Sequence, residues 1–278
     1  MAQLTNGKES IYPSAYFDAK AIVPNALLLS TTTFGGNIEG DTPALRVAVT
    51  KKDGTSTFVK EGNKIGESEP ELDELIIHTA KLAQMFRQTN ESASYNTPNQ
   101  LFQASLLKSI VAAADSAFLT NQPDEGDEWQ PTGLTARTDI TTGTQWTGTG
   151  VDVFDAISDA IVTIQADGGT PTHIILSPKT WGGIRKITTA NSTYQLGNPG
   201  EAVDLSVWGV PVVVNPRMND TDILVLDKAA VIAAHGQIRF SKHDAFEYDS
   251  VIWRTTWRIG WGILYPQRVV KLSKTAGK

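Results

Sequence analysis

The chain has no cysteine among its 278 residues. Disulfides and thiolate chemistry are therefore excluded. Histidine is scarce, with only His78, His173, His235 and His243. No two of these stand at a metal-ligand spacing, and H-E-x-x-H is absent. There is no G-x-S-x-G to expose a nucleophilic serine. There is no G-x-x-x-x-G-K-[ST] to cradle phosphates, and the run from Gly35 to Gly40 lacks the strand-to-helix setting of a dinucleotide loop. His243-Asp244 is a neighbouring pair without a serine partner. Carboxylate pairs such as Glu69/Glu71 and the run Asp124/Glu125/Asp127/Glu128 lie in polar stretches and read as solvated. No apolar run approaches the roughly 20 residues that span a bilayer, and the first twenty residues have no basic start followed by an apolar stretch. Metal, cofactor and membrane roles thus find no support in the sequence.

What is present is an acidic chain with a basic end. The net charge is −6, and 40% of residues are hydrophobic, enough for a sizeable core. From Ser250 onward there are six basic residues and no acidic one, which leaves the preceding part with a net charge of −12. Such a chain is poorly suited to bulk phosphate binding, which needs Lys and Arg. The basic end is suited to meeting acidic surfaces.

The order of elements is legible from punctuation and period. Residues 1 to 43 read as an extended arm, with no helical caps, ordered mainly by partners. Leu45, Val47 and Val49 alternate with Arg46, Ala48 and Thr50, and Asp53-Gly54 is a favoured hairpin turn. Residues 44 to 72 are therefore expected to form a long hairpin, returning through Thr55 to Glu61. An isolated hairpin is marginal in water and should need something to lie on. Between Leu72 and Gln88, Leu75, Ile76, Thr79, Leu82, Met85 and Phe86 fit a helical stripe. A helix from Thr97-Pro98 carries Leu101, Phe102, Leu106, Ile110 and Ala113 and ends near Asn121. A second, capped by Asp152, carries Val153, Ile157, Ile161 and Ile164 and stops at Gly168-Gly169. Then comes the segment His173 to Met218: a short apolar strand, a Ser177-Pro178 helix start with Trp181, a polar loop, and Val210-Pro211-Val212-Val213-Val214. Ile223 to Leu226, Ala229 to Ala233 and Ile238 to Lys242 read as further strands. In the last strand Trp253, Thr255, Trp257, Ile259 and Trp261 fall on one face, and Arg254, Thr256 and Arg258 on the other. The Trp residues read as core packing against the long helix.

The strand, S-P-x-x-W helix, long loop and G-V-P-V strand resemble the axial domain of tailed-phage major capsid proteins of the HK97-like fold. The Lys60-Glu61-Gly62 arm and the Pro131-Thr132-Gly133-Leu134 turn extend that resemblance. It implies an α+β fold with an N-terminal arm (1–43), an E-loop hairpin (44–72), a peripheral domain (73–135 and 236–278) and an axial domain (136–235). It also implies a strand, not a helix, at 72–88.

The function implied is structural: pentamers and hexamers of one subunit closing an icosahedral shell around phage DNA, without sequence-specific binding. The subunit would be no enzyme, need no cofactor, metal or membrane, and be assembled in the host bacterial cytoplasm into the virion. A separate scaffolding protein, a portal and decoration proteins are the further partners implied. Lys51, Lys52, Asp53, Gly54, Arg254 and Arg258 are the expected intersubunit residues. An encapsulin-like shell is the nearest alternative, disfavoured because its cargo-binding N-terminal helix has no counterpart here. An α+β hydrolase with a site between lobes, and a carbohydrate-binding module using exposed Trp, are alternatives of other classes.

Some members of the family join an E-loop lysine to an asparagine of another subunit. Lys51, Lys52, Lys60 and Lys64 are available, but from Ser250 onward there is no Asn, Asp or Glu. A lysine without an amide electrophile and a carboxylate to take its proton has nothing to attack. Boiled shells should therefore give a single denaturing-gel band near 30.1 kDa; a ladder of multimers would refute this.

Overall fold

The computed structural model describes residues 15–17, 26–38, 42–52, 54–93, 96–125, 129–147, 152–188, 194–197 and 205–275. Strands β1 (Ala15–Phe17), β2 (Thr33–Asn37), β3 (Ala44–Lys52) and β4 (Glu71–Thr89) flank helix α1 (Leu27–Thr31) in the first third. A short helix α2 (Asn90–Ala93) leads into the long helix α3 (Asn96–Thr120). Strand β5 (Thr141–Thr142), helix α4 (Asp152–Ala166), β6 (His173–Leu176), helix α5 (Pro178–Ile184), β7 (Ser206–Val207), β8 (Val210–Val214) and β9 (Asp222–Leu226) follow. The chain ends with β10 (Val231–His235), β11 (Ile238–Ala245), β12 (Ser250–Ile263) and β13 (Val269–Ser273).

Two sheets result. A seven-stranded sheet is centred on β12, which pairs with β4 and, on consecutive stretches, with β11 and β10. A six-stranded sheet has the order β5-β13-β9-β6-β8-β7. The two exchange strands with respect to a break at 235/236: β10 lies beside β12, and β13 lies beside β9.

The alternation of β12 is realised as read. Trp253, Thr255, Trp257, Ile259 and Trp261 are all buried, while Arg254 is exposed. Trp261 meets Phe118 of α3 edge-on at 5.4 Å. Trp253 stacks with Phe86 and meets Phe240 at a tilt. Each indole N–H finds an acceptor: Trp253 on Gln88 Oε1 at 2.9 Å, Trp257 on the Gly236 carbonyl at 3.0 Å, and Trp261 on the Thr132 carbonyl at 2.8 Å. These bonds remove the cost of burying the polar edge of each ring. Buried Trp residues leave no aromatic platform on this strand for a sugar.

Helix α3 lies between the sheets. Its Ile110, Ala114, Phe118 and Leu119 share one cluster with Trp257, Trp261 and Ile259 from β12 and with Ile175, Leu224, Leu226 and Val269 from the six-stranded sheet. The opposite face of that sheet is covered by α4 and α5, through Val153, Ile157, Ile164, Trp181 and Ile184. Helix α5 starts as its sequence indicates: Ser177 Oγ accepts the Thr180 N–H at 3.1 Å, with Pro178 in the first turn. The β7–β8 hairpin turns through Trp208 and Gly209, both with positive φ.

Strand β4 settles the conflict between pattern and resemblance in favour of strand. It pairs with β3 over its first half and with β12 over its second. Burial moves from odd positions (Leu75, Ile77, Thr79) to even ones (Ala80, Leu82, Gln84, Phe86, Gln88). The odd face is covered near β2 and β3 by Ile38, Ile232 and Leu45, the even face by the α3 side. A strand that changes its buried face midway has no single period of two, and its apolar residues mimic a helix.

Three expectations are corrected. No return strand forms at Thr55 to Glu61. Residues 54–70 are irregular, and β3 pairs instead with residues 71–78. Asp53 lies outside the described residues. The segment 26–38 is not a bare arm: Leu27 and Leu28 are buried in the chain's own core, and β2 pairs in parallel with β10. The strand expected from Ala229 starts at Val231, after a helical turn at Lys228–Ala230.

The turn after α3 closes that helix. Gly133 N–H donates to the Asn121 carbonyl at 2.8 Å, Asn121 Nδ2 donates to the Pro131 carbonyl at 2.8 Å, and Thr135 Oγ1 donates to the Leu119 carbonyl at 2.7 Å. The first and third satisfy carbonyls left open at the helix C-terminus, and the second ties the turn back to it. A Cβ on Gly133 would stand 2.7 Å from the Thr120 nitrogen and 2.9 Å from the Ala117 oxygen, both backbone. Gly133→Ala should therefore destabilise the subunit by about 1–3 kcal/mol, read as a lowered denaturation midpoint. An unchanged midpoint would show that the turn can move away.

Candidate assembly surfaces

Among the described residues no three His, Asp or Glu side chains gather as a metal site, and no helix is long and apolar enough to cross a membrane. His243 and Asp244 project from opposite faces of β11, as adjacent strand residues must. His173 is half-buried against Thr172 Oγ1 at 3.0 Å, and its pKa is lowered by burial and by Lys228. His235 packs on Phe34 at 4.9 Å beside a cleft of about 390 Å³ whose lining has no carboxylate among the described residues. Glu69 and Glu71 are exposed.

Surfaces are more telling. The loop 54–70 stands out from the sheet with every described residue exposed. Phe58 is fully exposed, Ile65 74% and Leu72, just beyond it, 75%. The loop is tied to its own chain mainly at its neck, where Ser68 Oγ accepts the Thr55 N–H at 2.7 Å. Lys51 and Lys52 close β3 at the base of this projection, and Gly54 begins the loop. The second half of β4, β12 and β11 form a face on the side opposite α3. Its residues, read off the register, are Lys81, Ala83, Met85 and Arg87 on β4, Ile252, Arg254, Thr256 and Arg258 on β12, and Arg239, Ser241 and His243 on β11. No acidic residue is among these described positions.

The two expected arginines behave differently. Arg254 is exposed, with Nε 3.3 Å from Ser241 Oγ. Arg258 is half-buried and works within the subunit, donating from Nε to Thr79 Oγ1 at 2.8 Å and to the Thr42 carbonyl at 3.1 Å. It pins the foot of β3 to β4 where the buried face of β4 changes.

Sequence reasoning missed Asp115. This carboxylate is buried in α3, where Oδ1 accepts the Leu27 N–H and Oδ2 accepts Asn215 Nδ2, both at 2.9 Å. It joins α1, the long helix and the segment after β8. The signal was present: one acid within the small apolar run Val111 to Ala117. Burial raises its pKa, against the pull of the two hydrogen bonds and Arg217.

These features define a shell-protein class: a long helix between two sheets, with a projecting loop, is the HK97-like capsid fold. Solved structures agree. The capsid of an empty GTA particle superposes with a TM-score of 0.71 at 18% identity, covering 90% of each chain. Gordonia phage Cozz gives 0.71 at 15% identity, over 91% of this chain and 87% of that one. The capsid of a native GTA particle gives 0.70 at 20% identity, covering 90% of each. Curated protein sequences yield no match. The model of the phage capsid family matches residues 35–274. The chain belongs to that family and is a major capsid shell protein; its place is the virion capsid.

Because the folded pKa of Asp115 is raised, its contribution to stability is complete below the ordinary carboxylate range. It is lost as pH rises through the raised value. Asp115→Asn stays neutral throughout, though it gives up one acceptor. Denaturant midpoints of the two proteins should shift in the variant's favour as pH rises above the ordinary carboxylate range. A constant gap would show that Asp115 titrates alike folded and unfolded.

Proposed function

We propose that the subunit self-assembles as pentamers and hexamers into an icosahedral shell enclosing phage DNA. The observation that carries this is the loop 54–70, which leaves Phe58 fully and Ile65 largely exposed. Exposed apolar side chains of this size, gathered on one projection, mark an interaction surface. A hairpin extended from the sheet with bare apolar residues is costly alone and useful only against another copy. The acidic balance fits a container that surrounds nucleic acid without gripping it.

In this reading the six-stranded sheet with α4 and α5 is the axial lobe. The seven-stranded sheet with α3 is the peripheral lobe, β10 belonging to it and β13 to the axial one. Lys51, Lys52, Asp53 and Gly54 meet a neighbouring copy, as does Arg254. Of the N-terminal arm, residues 15–17 and 26–38 pair and pack within the subunit, and the remainder is the part that would reach a neighbour. Scaffolding, portal and decoration proteins are further partners, with assembly in the bacterial cytoplasm. The shell's work is mechanical, and many modest contacts acting together hold it.

Size-exclusion chromatography with light scattering should find species far above 30.1 kDa. Replacing Lys51 to Thr55 by a shorter turn should leave the circular dichroism spectrum intact and impair that assembly. A wild-type protein that stays a monomer at high concentration would overturn the shell reading. Normal shells from the variant would overturn the role of the loop base.

A further inference from the structure

We propose that the acidic strip Glu67–Asp73, at the root of the projecting loop, seats on the basic outer face of the seven-stranded sheet of a second copy. This rests on the shell reading and names which surface meets which. The strip reads Glu67-Ser68-Glu69-Pro70-Glu71-Leu72-Asp73, with an acid at every second position. Glu71 and Asp73 open β4 and share a face, since strand side chains alternate. Glu67, Glu69 and Asp73 are exposed and form no ion pair among the described residues.

The complementary surface carries Arg87, Arg239 and Arg254 on three neighbouring strands, with His243 beside them. None of the three arginines is ion-paired among the described residues. Arg87 stacks on the Tyr248 ring at 4.1 Å, which orients its guanidinium while leaving its charge unmatched. Met85 is 66% exposed between these cations and offers an adaptable apolar contact for Leu72.

The strip cannot serve its own face. Asp73 and Arg87 lie on the same unbroken strand, fourteen residues apart, which is roughly 45 Å at the rise of a β-strand. That separation exceeds any side-chain reach, so the match is made between copies. Each subunit presents one strip and one face, unlike surfaces that hand the contact from copy to copy around a ring.

The test is a charge exchange. Glu67→Lys with Glu69→Lys, and separately Arg87→Glu with Arg254→Glu, should each raise the concentration needed for assembly by roughly tenfold or more. All four sites are exposed, so circular dichroism should match wild type. The four changes combined should restore assembly toward the wild-type concentration. Assembly of either double variant at the wild-type concentration would overturn the pairing. So would failure of the combination to rescue two well-folded parents. A DNA duplex probe bound by wild-type subunits and released by Arg87→Glu with Arg254→Glu, with assembly unaffected, would assign the face to nucleic acid and overturn the proposal. Wild-type protein that never leaves the monomer would fail the shell reading itself, a result distinct from these.

Discussion

The face of β12 buried against α3 is the contact on which the rest of the structure depends. Three indoles, a threonine and an isoleucine line one side of a fourteen-residue strand. Burying a Trp side chain removes some 150–250 Å² from water, so this one strand supplies a large part of the driving force for joining helix to sheet. Because β12 also pairs with β4, β10 and β11, its position fixes theirs. The far side of α3 then meets the six-stranded sheet, so one helix gives both sheets a common core. The lobes are two sheets sharing one wall.

Polar groups set that wall in register. The three indole N–H groups reach Gln88, Gly236 and Thr132, one acceptor each on β4, the β10–β11 link and the turn after α3. Asp115 does the same on the opposite side, holding Leu27 and Asn215, 88 and 100 residues away in sequence. Apolar burial would tolerate sliding of helix over sheet. These directional bonds do not, because each slip strands a buried donor or acceptor.

Where the sequence was legible, local chemistry and tertiary demand agreed. The span of α3, the Ser177 cap, the Gly168-Gly169 stop and the β12 alternation all follow from residues that lie within one or two turns or strand repeats of each other, whereas the buried face of α3 runs through Ala114 and Phe118 and leaves Phe102 and Ala113 of the expected stripe exposed. Where it was not, the deciding partner was remote. Leu27-Leu28-Leu29 reads as an uncapped apolar patch, because its cap is Asp115 and its cover is α3. Strand β4 reads as a helix, because its buried face changes where β3 gives way to β12. Thr55 to Glu61 reads as a strand, but its neighbours offer no partner, and β3 finds one at residues 71–78 instead. Of the candidate surface residues, Arg254 stands exposed as its alternation required. Arg258, two residues along the same face from Thr256, is drawn into a local task by Thr42 and Thr79, which nothing in its own segment foretells.

The placement of β1 and β2 has a consequence for how copies can add to one another. A strand at a sheet margin presents a row of unmatched amides and carbonyls to any passing chain. Here residues 15–17 lie along Ile238–Phe240 of β11 and residues 33–37 along β10, satisfying part of that margin within the subunit. Strand addition by another chain, which would be strong and hard to undo, finds fewer open groups along these stretches, and side-chain contacts, which are easier to break, gain in relative weight. In the proposed shell a misplaced subunit could then leave and be replaced before the surface curves shut, and fidelity would come from reversibility.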